Sequence, residues 1–267
     1  MDAPAVFTEA EFYQQNFNPQ AYLKEYYSMS SSPKWAQEFM KQNLRTLHKM
    51  FSLDGVRGDI LIDVGCGPTI YQLLSACERF QEIFALDYTD QNRRELEKWL
   101  KGEPGAFDWE PVVKYVCELE GDREKWAEKQ EKVRRKVTRV LKCDVTKGKP
   151  TEPVSLPAGD CIVSTLCLEG ACKDLPAFRS ALSNISTLLR PGGHLVMVTV
   201  LGESYYAFNK QLYSCLLLQK HEVQEAVLAA GFQLKFFEDR PFTVDDDVTD
   251  IKGVIGLVAQ KCPCATV

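Results

Sequence analysis

The stretch "DCIVSTLCLEGACKDL", residues 160–175, sets Glu169 just after a run whose Ile162, Val163, Leu166 and Leu168 belong in an interior. A carboxylate is costly there unless a cation or a hydrogen-bond donor meets it. A second acid, Glu203 in "VLGESYY", is followed at once by Tyr205, Tyr206 and Phe208. If the fold brings both acids to one crevice, carboxylates beside aromatic surface suit a cationic head on a flat body. The plainer reading makes Glu169 a strand-end acid that caps a helix or faces solvent, and Glu203 a solvated turn residue.

A third stretch, "LIDVGCGPT" at residues 61–69, has Asp63 at the end of an apolar run and then Gly65 and Gly67, which permit close backbone approach to a ligand. Pro68 and Thr69 follow where a dinucleotide loop would carry its third glycine. That counts against a pyrophosphate ligand, and so against a nicotinamide-dinucleotide oxidoreductase. Asp87 in "FALDYTD" lies 20 residues after Gly67, where an acid meets a ribose in doubly wound folds. Asp144 with Val145 in "KCDV" can meet an adenine edge. Alternatively, the glycines only make a tight turn.

These groups need a scaffold that delivers strand ends to one edge. Apolar strands are predicted in "DILIDVG", "EIFALDYT", "VLKCDV", "DCIVSTLCLE" and "HLVMVTVLG", with "FQLKFFED" and "GVIGLVAQK" closing the chain. Helices are predicted over 35–51, in "TIYQLLSACERF", in "NRRELEKWLKG", through the charged stretch 122–141, in "DLPAFRSALSNISTLLRPGG" and in "HEVQEAVLAAGF". The charges of 122–141 read as a solvated helix face rather than a partner site. "SYYAFNKQLYSCLLL" reads as an inserted turn or hairpin, and residues 7–33 are rich in aromatics that form either a core strap or a lid. Alternation of strands and helices implies an α/β, Rossmann-like mixed sheet of seven strands with helices on both faces. The last two strands can insert one antiparallel strand at the edge. Neither an internal repeat nor a low-complexity linker breaks the chain, which predicts one domain over 1–267 with residues 1–35 as its N-terminal segment.

Composition removes several function classes. Hydrophobic residues at 45% with 26% charged are ordinary for a globular chain. A net charge of −5 leaves no basic excess for a nucleic-acid backbone. No apolar run reaches the roughly 18 residues of a membrane span, and "MDAPAVFTEAEFYQQNF" has no secretory core, so a cytoplasmic protein is expected. Ten cysteines then imply a reducing compartment, most of them as small buried apolar residues. They include no C-x-x-C, and the three histidines are scattered, so no metal is expected.

The D-x-G-x-G-P loop, the strand-end Asp87 and "CDV" together resemble the S-adenosylmethionine site of class I methyltransferases. "GPTIYQLLSACE", "ELEKWLKGEPGAFDW", "VLKCDV" and "LLRPGGHLV" go further and resemble the small-molecule N-methyltransferases of the phenylethanolamine, nicotinamide and indolethylamine type. The likeness runs from about Phe12 to Lys261. It implies a monomeric cytosolic enzyme whose N-terminal segment, with its "FNPQAYLKEYY", is a helical lid over the cofactor. It also implies that Tyr13, Tyr22 and Tyr27 close over S-adenosylmethionine, joined by Gly65, Thr69, Tyr71, Asp87, Asn92, Asp144, Val145 and Thr165. Asp63 and Gly67 belong to the same loop. Glu169 and Glu203 match residues that hold or deprotonate the amine in the phenylethanolamine type. Tyr26, Leu166, Tyr206 and Asp250 complete the expected substrate side.

Two positions depart from the family patterns. The nicotinamide type carries an aspartate where Thr199 stands, and the catecholamine pattern has an acid where Thr249 stands. The expected reaction is methyl transfer to the nitrogen of a small arylalkylamine. Methylation of pyridines or thioethers is the alternative enzyme reading, and a non-catalytic cofactor-binding module the alternative class.

Overall fold

In a computed structural model, which describes residues 6–263, the apolar run "ILIDV" forms β1 (Ile60–Val64) at the middle of a seven-stranded sheet. Residues 1–5 of the expected lid segment and Cys264 lie outside the described residues. Alternation along β1 feeds two cores: Leu61 packs with α3 (Lys34–Phe51) on one face, Ile62 and Val64 with α8 (Leu175–Ser186) on the other. Burial on both faces is why this strand reads as nearly continuous hydrophobic sequence.

Before α3 come two short helices, α1 (Ala10–Asn16) and α2 (Pro19–Tyr26), the second opened by Asn18, whose side chain accepts from the Ala21 N–H at 3.0 Å. After β1 the chain runs through β2 (Glu82–Asp87), α4 (Asp90–Leu100), α5 (Glu110–Leu119), α6 (Trp126–Lys136) and β3 (Val137–Lys142). It then crosses to β4 (Gly159–Thr165), a helical turn α7 (Leu168–Ala171), α8 and β5 (Leu189–Leu201). A hairpin of β6 (Tyr205–Phe208) and β7 (Gln211–Ser214) precedes α9 (Lys220–Ala229), β8 (Phe232–Pro241) and β9 (Gly253–Lys261). The sheet order is β3-β2-β1-β4-β5-β9-β8. All neighbours from β3 to β5 are parallel, and β9 is antiparallel to both β5 and β8. The antiparallel strand therefore lies inside the edge, with β8 outermost. The order in which strands are added reverses between β1 and β4, which opens a crevice beyond their carboxyl ends.

Several local expectations are corrected. The segment 69–80 is not an α-helix but two 3₁₀ turns, Tyr71–Leu73 and Ala76–Glu78. Tyr71, Gln72, Leu73 and Leu74 are all buried, so no face is left for solvent. Gln72 Nε2 instead donates to Asp63 Oδ2 at 2.7 Å and to the Thr69 carbonyl at 3.1 Å, which pins the turn beneath the glycine loop. In the charged stretch the helix ends at Lys136, and the β-branched run from Val137 joins the sheet beside β2. Leu166, at φ 53°, ends the fourth strand early, so Glu169 sits in α7, a turn beyond it. Helix α8 stops at Ser186, and Pro191 lies in β5 where the pairing with β4 skips from Gly159 to Cys161. Helix α5 has no counterpart in the sequence reading, although Pro111 in its first turn with Val112, Val113 and Val116 carries its signal. No helix among the described residues is long and apolar enough to cross a membrane.

Candidate active site

The glycine loop leaves β1 with Gly65 and Gly67 at φ +72° and +56°. Gly65 has no room for a side chain, since a Cβ there would lie 2.1 Å from Cys167 Sγ. Gly67 faces open space, with nothing within 4 Å of where a Cβ would sit. The N–H groups of Gly65 and Cys66 both bond the Leu86 carbonyl, at 2.8 and 2.9 Å, tying the loop to β2. Asp87 at the end of β2 organises the rest. Its Oδ2 accepts from the Gly67 N–H at 2.9 Å, and its Oδ1 accepts from Thr89 N–H and Oγ1 and from Asn92 Nδ2. Asn92 Oδ1 is left buried with no donor. Asp144 is steadied through Oδ1 by Thr146, and Val145 is buried beside it.

The aromatic N-terminus roofs this crevice. Tyr13 Oη meets Tyr206 Oη at 3.0 Å, Tyr22 Oη meets Tyr27 Oη at 3.2 Å, and the Tyr26 hydroxyl donates to the Ala207 carbonyl at 2.6 Å. Thr8 and Ser214 exchange two hydrogen bonds, and Phe17 packs edge-on to Phe208 with centroids 5.0 Å apart. On the other side Gln91 of α4 donates to the Tyr13 and Gln14 carbonyls. The β6–β7 hairpin and α4 thus clasp the segment from both flanks.

Beneath the roof lie the two glutamates, 3% and 7% exposed. Thr199 Oγ1 donates to Glu169 Oε2 at 3.0 Å. Glu203 Oε1 accepts from Thr249 Oγ1 at 2.5 Å, and its Oε2 accepts from the Cys215 thiol at 3.5 Å. Burial pushes Glu169 up from 4.5 to about 7 against the hydrogen bonds that favour its charged form. Burial likewise pushes Glu203 up to about 8, with the Glu169 charge adding to the rise. Burial holds the Cys215 thiol far above its ordinary value, so it stays a donor.

One cavity is lined by both the loop and the glutamates. Of the residues singled out in the sequence, Tyr13, Tyr22, Tyr26, Tyr27, Gly65, Gly67, Thr69, Tyr71, Asp87, Asn92, Asp144, Val145, Thr165, Leu166, Glu169, Glu203 and Tyr206 line it. Asp63 and Asp250 do not. Asp63 is turned under the loop toward Gln72, its Oδ1 buried without a partner, and burial raises it from 3.8 to about 8. Asp250 accepts from the Ser204 N–H at 2.7 Å and from Ser204 Oγ at 2.5 Å, which fixes the turn that carries Glu203. Sequence reasoning had no signal for Cys215, nor for Trp35 and Asn43 on the α3 wall, because no local pattern marks which face of a helix meets a cavity. Among the described lining residues are four carboxylates and no Lys, Arg or His.

Residues 5–262 match the NNMT/PNMT/TEMT family. The chain belongs to that family. It is 53% identical to the nicotinamide N-methyltransferase of Sus scrofa, over 97% of this chain and 98% of that one. It is 49% identical to the indolethylamine N-methyltransferase of Oryctolagus cuniculus, over 96% and 98%. Identity to the phenylethanolamine N-methyltransferase of Rattus norvegicus is 41%, over 92% and 88%. Among solved structures, the magnesium protoporphyrin IX methyltransferase ChlM of Synechocystis with bound S-adenosylmethionine superposes with a TM-score of 0.59 at 11% identity, over 97% of this chain and 99% of that one. The [4+2]-cyclase SpnF gives 0.57 at 15% identity, over 98% of each chain. At such identities the likeness is one of fold alone, and a cyclase among these neighbours shows why the chemistry of this NNMT/PNMT/TEMT member must be argued from its site.

The three raised carboxyls make stability depend on pH. Each binds its proton more tightly folded than unfolded, so its contribution is present at low pH and is lost as pH rises from its ordinary value through 7 to 8. The ligand-free protein is therefore expected to lose Tm steadily between about pH 4 and 8 and to level off above that. Glu203→Gln is expected to flatten that slope, and a thermal scan series checks both.

Proposed function

We propose that this protein transfers the methyl group of S-adenosylmethionine to the nitrogen of a small arylalkylamine. The observation that carries the proposal is the sign of the cavity's charge: its charged lining residues are all carboxylates, two of them buried glutamates, and no Lys, Arg or His lines it among the described residues. The counter-charge has to arrive with the ligands, and an ammonium supplies it.

The residues present fit the cofactor. Gly67 has open space above it, Asn92 Oδ1 is a buried acceptor still lacking a donor such as a hydroxyl, and Asp87 and Asp144 stand at the ends of adjacent strands. Gly65, Gly67, Thr69, Asp87 and Asn92 would hold the amino-acid and ribose parts, and Asp144 and Val145 the adenine. Tyr71, Thr165 and the lid tyrosines Tyr13, Tyr22 and Tyr27 would enclose it. Asp63 would act indirectly, by holding the loop through Gln72. Bound there, S-adenosylmethionine supplies an already electrophilic methyl group, so alignment is the protein's main task. Alignment of that kind can lower a barrier by roughly 7–11 kcal/mol.

Glu169 and Glu203 receive the N–H groups of the ammonium, and one of them takes the proton, directly or through water, so that the nitrogen lone pair is free. Their raised affinity for protons suits that task. Thr199, Thr249 and Cys215 hold both carboxylates in place. Tyr26, Leu166 and Tyr206 flank the amine. The nine free cysteines among the described residues agree with a reducing, cytosolic location, and we expect a monomer that binds neither nucleic acid nor membranes.

A second reading, methylation of a pyridine nitrogen, is favoured by the 53% identity to a nicotinamide N-methyltransferase. Labelled S-adenosylmethionine offered to phenylethanolamine, tryptamine, nicotinamide and dimethyl sulfide separates the two. Turnover confined to the amines is the expected result. Preference for nicotinamide would transfer the assignment to the pyridine reading, and preference for the sulfide would overturn both.

A further inference from the structure

The roof over the cavity is held on its two flanks by bonds of different kinds. Against the β6–β7 hairpin the hold is aromatic. Phe17 meets Phe208 at 5.0 Å and Tyr213 at 5.7 Å, and Tyr13 meets Tyr213 at 5.0 Å. Phe17, Phe208 and Tyr213 are all buried, and Thr8 and Ser214 add their reciprocal hydrogen bonds at 2.5 and 2.9 Å. Rings packed in this way lose their contacts on separation, and water does not replace them.

Against α4 the hold of α1 is polar. Gln91 Nε2 donates to the Tyr13 and Gln14 carbonyls at 2.8 and 3.0 Å, and the Asp90 N–H donates to Gln14 Oε1 at 3.1 Å. Gln14, Asp90 and Gln91 are only half-buried, so water can take over each of these bonds at little net cost. Helix α1 buries none of its own residues, and Glu9 at its start makes no side-chain cap. Beyond this seam lies an open groove of about 700 Å³, flanked by Gln15 and Asn18 of the lid and by Gln91 and Arg94 of α4. Phe17 lines both that groove and the main cavity. On this flank it stands between the outside and the cofactor end of the cavity, where Thr89 and Asn92 lie.

We propose that ligands enter and leave through the seam between α1 and α4, and that α1 stays on the hairpin as the seam parts. A door on the hairpin flank would disturb the reacting end. There the Leu216 N–H donates to the Glu169 carbonyl at 2.7 Å, and the Cys215 N–H to the Ser204 carbonyl at 2.8 Å. With the Cys215 thiol on Glu203, these bonds tie the hairpin to both glutamates. Parting at α4 opens the cavity and leaves the carboxylates as they stand. The passage serves an amine and a pyridine alike, so the assignment goes beyond the choice of substrate and does not depend on it.

Two reversible cross-links test the route, each with its reduced form as the folded reference. Thr8→Cys with Ser214→Cys, oxidised to a disulfide, fastens α1 to the hairpin. Gln15→Cys with Arg94→Cys, joined by a short bis-maleimide that reductant cleaves, fastens α1 to α4 across the groove, since both positions are exposed. The unaltered chain, treated with the same reagents, sets the background from native thiols. The readout is the rate of S-adenosylhomocysteine release into excess unlabelled ligand. The hairpin link is expected to leave that rate within about twofold, and the α4 link to slow it more than about tenfold until it is cleaved. Slowing by the hairpin link alone, by both links or by neither would overturn the route. Without any cross-link, Gln91→Ala should speed release about fivefold, whereas Ser214→Ala should leave it within about twofold. Equal effects of these two substitutions would likewise overturn it.

Discussion

Glu169→Gln is expected to lower kcat/KM for an arylethylamine by about 10²- to 10³-fold while leaving affinity for S-adenosylhomocysteine within about twofold. Glutamine keeps the size and can still accept from Thr199 Oγ1, so the fold is not challenged. It removes the charge that an ammonium requires and the site that takes its proton. The loss should appear in both binding and turnover, because the same carboxylate serves both. Glu203→Gln should behave alike, and the double variant should lose much less than the product of the two, since the acids act on one nitrogen.

The pH profile gives an independent readout. In the free protein Glu169 and Glu203 ionise at about 7 and about 8, so kcat/KM for the charged amine should rise through that range. It should then fall where the amine itself loses its proton, at about 10 for a lysine-like group. Removing one glutamate should simplify the rising limb. Unchanged turnover and unchanged amine affinity in Glu169→Gln would end the assignment of this residue to the amine.

The second large effect is expected at the glycine loop. Gly65→Ala puts a side chain at φ +72°, which costs about 1–2 kcal/mol by itself. It also drives that Cβ to 2.1 Å from Cys167 Sγ and 2.5 Å from Cys167 Cβ. The loop cannot retreat without releasing the Leu86 carbonyl, to which Gly65 and Cys66 both bond. A fall in Tm of several degrees and a loss of cofactor affinity of more than about tenfold are expected together. Adding Cys167→Gly should restore part of the Tm but not the conformational cost. Gly67→Ala is the informative contrast, because nothing lies within 4 Å of its added methyl. Its Tm should move less, whereas S-adenosylhomocysteine affinity should fall sharply as the methyl enters the space left for the ligand. Thermal scans and calorimetric titration of the two variants check the pair.

How much of this could be read before the fold was known follows from the range of each interaction. The central strands were legible because burial on both faces leaves continuous apolar sequence, and β9 matches its predicted span residue for residue. The 3₁₀ turns after the glycine loop were not, because they depend on Gln72 reaching Asp63 from nine positions away. The break at Leu166 was hidden too, since nothing in "STLCLE" announces a leucine at positive φ.

The same division runs through the site. Sequence by itself determined the α/β class with its mixed seven-stranded sheet, the glycine loop after β1, the acid that ends β2 and the family, since these rest on residue type and near spacing. Only the tertiary structure decided that Asp63 and Asp250 brace the cavity from outside it. It also set Thr199, Thr249 and Cys215 on the glutamates, and turned Asn43 by means of Arg240, 197 positions away. Hydrogen bonds between distant segments settle which way a buried polar group points, and that direction is absent from the chain until its elements pack.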